Sequence, residues 1–415
     1  MKPQRILISG AGIAGLTLAY WLKQFGHTPV VLEKAPGLRK GEYMIDFTGS
    51  GWDVAEWMGL IPSLRERAVP LSNITYRDEE GRIASKLPLP EVIALTGVED
   101  RFVGLNRCDL EELLYEKVKD EVEIRFQTSI QSLQNQDGGV HVVFESGDEE
   151  DFDLVVGADG IHSNVRRLAF GPEDSFTDHM GYHVAAFRLP DMGDGIDTGF
   201  SMRVKPGRQA SILNADNNDW LAYFFCVSDD TSYVPQKERQ QRLKDTYSDM
   251  GWALTDCFDK LDDSVSVYYD TVTMIKMPQW YTGRVAVVGD AAYCLTPISG
   301  QGASMAMAGA FALAEAIAQQ DSHEEAFAAY DGRLRSFVET LQAKAKKAAG
   351  SFIPRTQFQI TKNTWAMRMF RWFSFLAPLL RPLVKQFSIK SVFQEEQKQG
   401  KEISGLLQSH LKPTA

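Results

Sequence analysis

The chain has 415 residues, 44% of them hydrophobic, and a formal net charge of −11 at pH 7. That length and apolar content exclude a disordered chain and call for two lobes, or one large lobe with an insertion, while the acidic balance excludes nucleic-acid binding as a property of the whole chain. Cys108, Cys226, Cys257 and Cys294 show no CxxC spacing and no neighbouring His pairs, so neither a disulfide framework nor a zinc site is expected, and no metal.

The opening MKPQRILISGAG enters a strand directly, with no signal-peptide run, and no apolar stretch reaches membrane-spanning length; a cytoplasmic location is expected. The stretch RILISGAGIAGLTLAYWLKQFGHTPVVLEKA, residues 5–35, reads as strand, tight turn, helix and second strand, a βαβ unit. Gly10, Gly12 and Gly15 form GxGxxG: the first permits the turn, the second lets backbone approach a pyrophosphate, and the third lets the helix pack on the strand. Glu33 ends the second strand where an acid can bond a ribose hydroxyl. The unit points to a dinucleotide, against glycines of an ordinary turn, but does not choose between NAD and FAD.

Further along, GLNRCDLEELL places Arg107 before a helix opened by Asp109, and FDLVVGADGIHSNVRRLAF runs an apolar strand into Asp159-Gly160, with Ser163 and Arg166 on a short helix. Residues 172–275 change to a β pattern, including GYHVAAFRL and DWLAYFFCVSD, in which alternation puts Tyr223 and Phe225 on one face and Ala222, Phe224 and Cys226 on the other. His183 and Arg188 are polar candidates there, each more often structural than catalytic. In RVAVVGDAAYCLTPISGQGASMAMAGAFALAEAI, residues 284–317, a strand meets Gly289-Asp290, then a Pro-containing turn, then a helix of small residues, which by itself reads equally as a core helix without a ligand. From Phe352 to Phe393 the chain is basic, aromatic and free of acids. Such a segment lies weakly on an anionic bilayer, covers a lipophilic substrate entrance, or packs on the acidic body with its bases solvated.

With these motifs in this order, residues 4–350 resemble the class A flavin-dependent monooxygenases, the group of para-hydroxybenzoate hydroxylase and the tetracycline-inactivating monooxygenases. The resemblance implies an α/β fold: a Rossmann-type GxGxxG FAD-binding domain over 1–70, 100–171 and 276–350, interleaved with a β-sheet substrate domain over 71–99 and 172–275, and a C-terminal helical segment over 351–415. It implies FAD, with NAD(P)H as transient donor. The pyrophosphate goes to Gly10, Gly12 and Gly15 beside Ala14, the adenosine ribose to Glu33 beside Lys34, and the ribityl chain to Asp290 after Gly289. Arg107 is expected at FAD, and Asp159, Gly160, Ser163 and Arg166 at FAD and the pyridine nucleotide. The turn that starts at Pro297 brings the backbone N–H groups of Gly300, Gln301, Gly302 and Ala303 and a helix N-terminus to the isoalloxazine, stabilising its reduced anion. Arg39 belongs to a loop that gates the flavin, with Asp46 further along. By position in the family fold, Met202, Ile212, Tyr223, Phe225 and Pro297 line the substrate cavity.

Tyr293, Ser304 and Gly309 depart from the His, Asn and acid common in the family, so no family role transfers to them; Cys294 is expected to be a buried small hydrophobe. The reaction implied is O2-dependent hydroxylation of an aromatic or other electron-rich small molecule through a flavin C4a-hydroperoxide. No catalytic base emerges. The alternatives are an FAD-dependent reductase of a lipophilic, prenyl-like substrate and a flavoprotein that sequesters a ligand without turnover.

Overall fold

The computed structural model describes residues 1–38, 43–70, 72–189, 199–214, 220–262, 265–372 and 391–398. Arg39 and residues 373–390 of the basic tail lie outside them. Ile6, Leu7 and Ile8 have no exposed surface, because the strand Arg5–Ser9 is central in a six-stranded sheet. It pairs in parallel with Thr28–Glu33 and with Leu154–Gly157, and Glu123–Phe126 and Val285–Val287 extend the sheet on either side. Only the edge strand Tyr281–Thr282 is antiparallel. This order sets the carboxyl ends of the glycine-turn strand, the DG strand and the GD strand side by side, where open α/β sheets bind ligands.

Two helices cover that edge. Ile13–Gln24 and Gly302–Gln319 pack together, with Trp21 edge-on to Phe311 at 4.9 Å between ring centroids. The first helix also closes tightly on the turn it leaves, since a Cβ at Gly15 would stand 1.9 Å from Gly10 O.

The second sheet has seven strands in the order Tyr268–Ile275, Thr177–Leu189, Trp220–Val227, Arg208–Asn214, Gly199–Lys205, Asn73–Arg77 and Ile83–Pro88. Asn73–Arg77 joins it in parallel with Gly199–Lys205. One face is covered by helices Gln236–Tyr247 and Leu254–Asp259, where the sequence reading had only strands and turns. The first of these is polar along its length except at Leu243 and Tyr247, the two residues it buries, so its apolar stripe was too thin to stand out.

The long helix His323–Phe352 begins at a serine N-cap, Ser322 Oγ accepting from Glu325 N at 3.2 Å. After it, Gln357–Trp372 lies against strand Ile83–Pro88, and Val392–Lys398 returns to the first sheet's side. There Phe393 packs on Trp57 and Phe311, and Glu396 pairs with Arg333 at 2.8 Å.

Candidate functional site

The glycine turn is held from below. Gly10 has φ +109°, and a Cβ there would meet Ala158 O at 2.5 Å, so only glycine fits. Glu33 accepts from Ala11 N at 3.1 Å and from Ala35 N at 2.9 Å, bracing the turn with the carboxylate expected at a ribose. The helix that follows has no side-chain cap and no acid in its first turn, so its free N–H groups keep their attraction for an anion. A Cβ at Gly12 would point at Glu111 Oε1, 3.4 Å away, and Arg107 Nη2, 3.8 Å away. Those two form an ion pair at 2.8 Å, and the buried Glu111 is a residue the sequence reading missed. An acid four positions after Arg107 was its only signal.

Asp290 is exposed although Gly289 and Ala291 beside it are buried. Burial nonetheless raises its carboxyl above the ordinary carboxylate range, with Arg107 acting against the rise. An accessible group so desolvated opens into a crevice rather than onto the convex surface. Burial also drives the thiol of the neighbouring Cys294 well up, as expected of a packed hydrophobe and not a reactive thiolate.

The DG motif braces the crevice. Asp159 accepts from Ser9 Oγ at 3.3 Å, from Val165 N at 3.0 Å and from Ser163 Oγ, so its carboxylate caps the short helix Asn164–Ala169. Arg166 is 0% exposed and donates to Ala291 O at 2.9 Å, Ile161 O at 2.5 Å and Glu173 Oε2 at 2.9 Å. A guanidinium so enclosed cannot reach a ligand, which corrects the expectation of a cofactor contact: Arg166 ties the DG segment to the GD segment.

At the opposite end of the crevice, Thr296 takes φ +71°, rare for a β-branched residue, and turns the chain into exposed Pro297. A Cβ at Gly300 or Gly302 would meet nothing within 4 Å, so the turn borders open space. The helix Gly302–Gln319 also lacks a side-chain cap and a first-turn acid.

Across the crevice, Tyr76, Met202, Ser211, Tyr223, Ala186 and Tyr268 stand opposite one another on six adjacent strands of the large sheet, their side chains on one face. That face looks at the crevice, since Tyr268 meets Tyr43 at 6.0 Å, Tyr43 lies 5.8 Å beneath the Arg107 guanidinium, and Met44 N donates to Tyr223 Oη at 2.5 Å. Phe225, one row on, packs with Phe352 and beside Ile298 of the Pro297 turn. Ile212 pairs with Ala222 and belongs to the opposite, helix-covered face at 0% exposure, so its expected place in the cavity is corrected. A one-residue shift of register moves a side chain to the other face. His183 is on that covered face too, bonded to Tyr269 Oη at 2.8 Å and Asp230 O at 2.5 Å. Burial pushes the Tyr223 hydroxyl up, with nearby Tyr43 and Asp46 adding and Met44 N–H and Arg188 opposing. Asp46, exposed yet raised by burial, shares the crevice.

Two of the family departures prove to be one. A Cβ at Gly309 would fall 1.7 Å from Tyr293 Oη, so the tyrosine fills the volume that a side chain at 309 would need. Its ring packs on Trp280 at 4.7 Å, and its hydroxyl lies 3.5 Å from both Tyr330 Oη and Met305 O. Ser304 donates to Thr48 O at 2.6 Å, joining the small-residue helix to the strand Met44–Thr48.

Two uncapped helix N-termini, a glycine floor, and an accessible acid between them suit a long cofactor that is anionic in its middle. The chain belongs to the FAD-binding-domain family, whose model matches residues 4–345. It is a flavin-dependent monooxygenase with FAD as its cofactor. A flavin-dependent monooxygenase of Legionella longbeachae is 32% identical over 363 residues, covering 86% of this chain and 91% of its own length. An uncharacterized protein of Mycobacterium tuberculosis is 34% identical over 362 residues, covering 85% of this chain and 96% of its own. Among solved structures, the tetracycline destructase Tet(51) superposes with a TM-score of 0.78 at 28% identity, covering 93% of this chain and 98% of that one.

Proposed function

We propose that FAD extends along the crevice from the glycine turn to the Pro297 turn, and that the enzyme hydroxylates an electron-rich aromatic small molecule held between that turn and the large sheet. When bound, FAD takes a hydride from NAD(P)H and activates O2. The chain binds, orients and keeps water out. Gly10, Gly12 and Gly15, beside Ala14, receive the pyrophosphate; Glu33, beside Lys34, the ribose; Asp290 the ribityl hydroxyls; and Arg107 closes the crevice from above. Backbone N–H groups of Gly300, Gln301, Gly302 and Ala303 face negative charge on the ring, as a helix N-terminus favours. Asp159 and Gly160 hold the crevice wall. This division makes 1–70, 100–171 and 276–350 the cofactor unit, with 71–99 and 172–275 covering the substrate.

Met202, Tyr223, Phe225 and Pro297 surround the substrate in this reading. Tyr223 accepts from Met44 N, which leaves its own proton to donate, and its upward shift keeps that proton in place at working pH. Asp46 offers an acceptor nearby. A donor and an acceptor above an apolar floor fit a phenol or an enol, and the likeness to a tetracycline destructase adds polycyclic enols to the phenols worth testing. The four free cysteines agree with a cytoplasmic enzyme.

The observation that carries the reading is Tyr43, which lies 5.8 Å from the Arg107 guanidinium beside the glycine turn and 6.0 Å from Tyr268 in the row of Met202 and Tyr223 on the large sheet. The test mixes FAD-loaded protein anaerobically with NADPH or NADH and a panel of phenols and tetracyclines, then admits 18O2. One panel member should quicken flavin bleaching and acquire labelled oxygen. Tight binding with neither effect overturns the reading in favour of a sequestering protein.

A further inference from the structure

Among the described residues, four large hydrophobic side chains are exposed: Ile83 at 52%, Tyr233 at 79%, Phe358 at 77% and Trp365 at 63%. Three of them gather on one unit. The helix Gln357–Trp372 lies on the outer strand Ile83–Pro88 of the large sheet, with Arg368 Nε donating to Ala84 O at 2.8 Å and Ser85 Oγ meeting Met367 Sδ at 3.8 Å. Ile360, Thr364 and Met367 share the side of the helix turned to the protein and are half-buried. Phe358, Lys362 and Trp365, spaced by four and three, share the opposite side, and all three are exposed. Over residues 358–367 the helix therefore spends its weaker apolar side on the body and shows its aromatic side outward.

Charge selects what that side meets. From Phe352 to Phe393 the sequence has Arg355, Lys362, Arg368, Arg371, Arg381, Lys385 and Lys390 and no acid, in a chain of net charge −11. Tryptophan and phenylalanine flanking a lysine on one helical stripe match the boundary of a bilayer, with rings at the acyl edge and the ammonium among phosphates. A stripe of three side chains is far smaller than the roughly 800 Å² per partner of a stable protein pair, whereas a bilayer demands no matching shape. Among the described residues no helix is long and apolar enough to cross a membrane, so the contact is peripheral.

We propose that Phe358, Lys362 and Trp365 form a membrane-surface contact that lays the outer edge of the large sheet on an anionic bilayer. The test is flotation of the full-length, FAD-loaded protein with vesicles of phosphatidylcholine alone or in equal mixture with phosphatidylglycerol. Wild type should float with the mixed vesicles, less so as salt rises, and not with phosphatidylcholine alone. The double variant Phe358→Ala/Trp365→Ala should bind about tenfold more weakly, and Lys362→Glu should behave similarly. Both substitutions are on the surface, and unchanged flavin absorbance verifies that the variants are folded. The proposal is overturned if wild type stays unbound with mixed vesicles or if the double variant floats as wild type does. Self-association that the double variant abolishes, without vesicle binding, overturns it in favour of a contact between copies.

Discussion

Replacing Gly309 by alanine tests the packing around Tyr293 most directly. The added methyl would sit 1.7 Å from Tyr293 Oη, 3.0 Å from its Cζ and 3.4 Å from Val288 Cγ2. An ordinary carbon–oxygen contact is about 1.5 Å longer, and the tyrosine cannot retreat because its ring is packed on Trp280 and is 2% exposed. Overpacking of this kind costs about 1–3 kcal/mol, which in a protein of this size lowers Tm by several degrees. Removing only the oxygen, Tyr293→Phe, deletes two long 3.5 Å contacts and should cost about 1 kcal/mol or less. The double variant should then lie close to Tyr293→Phe alone, giving a coupling equal to the cost of Gly309→Ala, about 1–3 kcal/mol. Thermal unfolding of the four proteins, followed by circular dichroism with and without added FAD, supplies the cycle. If Gly309→Ala melts with wild type, or Tyr293→Phe fails to rescue it, the two positions do not share one volume and the reasoning is wrong.

Asp290→Ala should weaken FAD binding about 10- to 100-fold, the loss of a charge-assisted hydrogen bond, read by fluorescence titration of the apoprotein; unaltered affinity would count against the ribityl placement. Tyr223→Phe should raise KM for the substrate about tenfold at constant flavin content, one lost hydrogen bond, and an unchanged KM removes the hydroxyl from recognition. His27 is 5% exposed, accepts from Gln4 N at 3.2 Å, and is lowered from 6.5 to about 4 by burial and then by the N-terminal charge. Since the unfolded chain takes up that proton near pH 6.5 and the native one near 4, its contribution is complete above 6.5 and lost as pH falls toward 4. The Tm of His27→Gln should therefore decline less steeply than that of wild type across this window.

The backbone of the cofactor crevice was legible because it is built from local signals: a GxGxxG turn between an apolar strand and a helix, and Gly-Asp after another apolar strand, each announce themselves within a dozen residues. Side-chain placement was less legible where distant elements decide it. Ile212 and Met202 are both apolar strand residues, and which of them meets the crevice depends on the pairing of Met202 with Ser211 and on helices after residue 235 covering the other face. Arg166 looked like a ligand contact because charged residues are rarely enclosed, yet three acceptors from separate segments take up its two terminal nitrogens, while its buried Nε has no partner among the described residues. Tyr293 and Gly309, 16 positions apart, reveal their relation only when strand, turn and helix are folded together.

The tie from Arg166 to Ala291 O joins residues 125 positions apart, and the parallel pairing of Leu154–Gly157 with Val285–Val287 spans a similar distance. Everything between them, including five strands of the large sheet, leaves the ribosome before the crevice has its second wall. The segment that completes that wall, from the strand Val285–Val287 to the turn Pro297–Ser299, opens the last third of the chain, so a nascent chain that has delivered the glycine turn holds only half of the crevice.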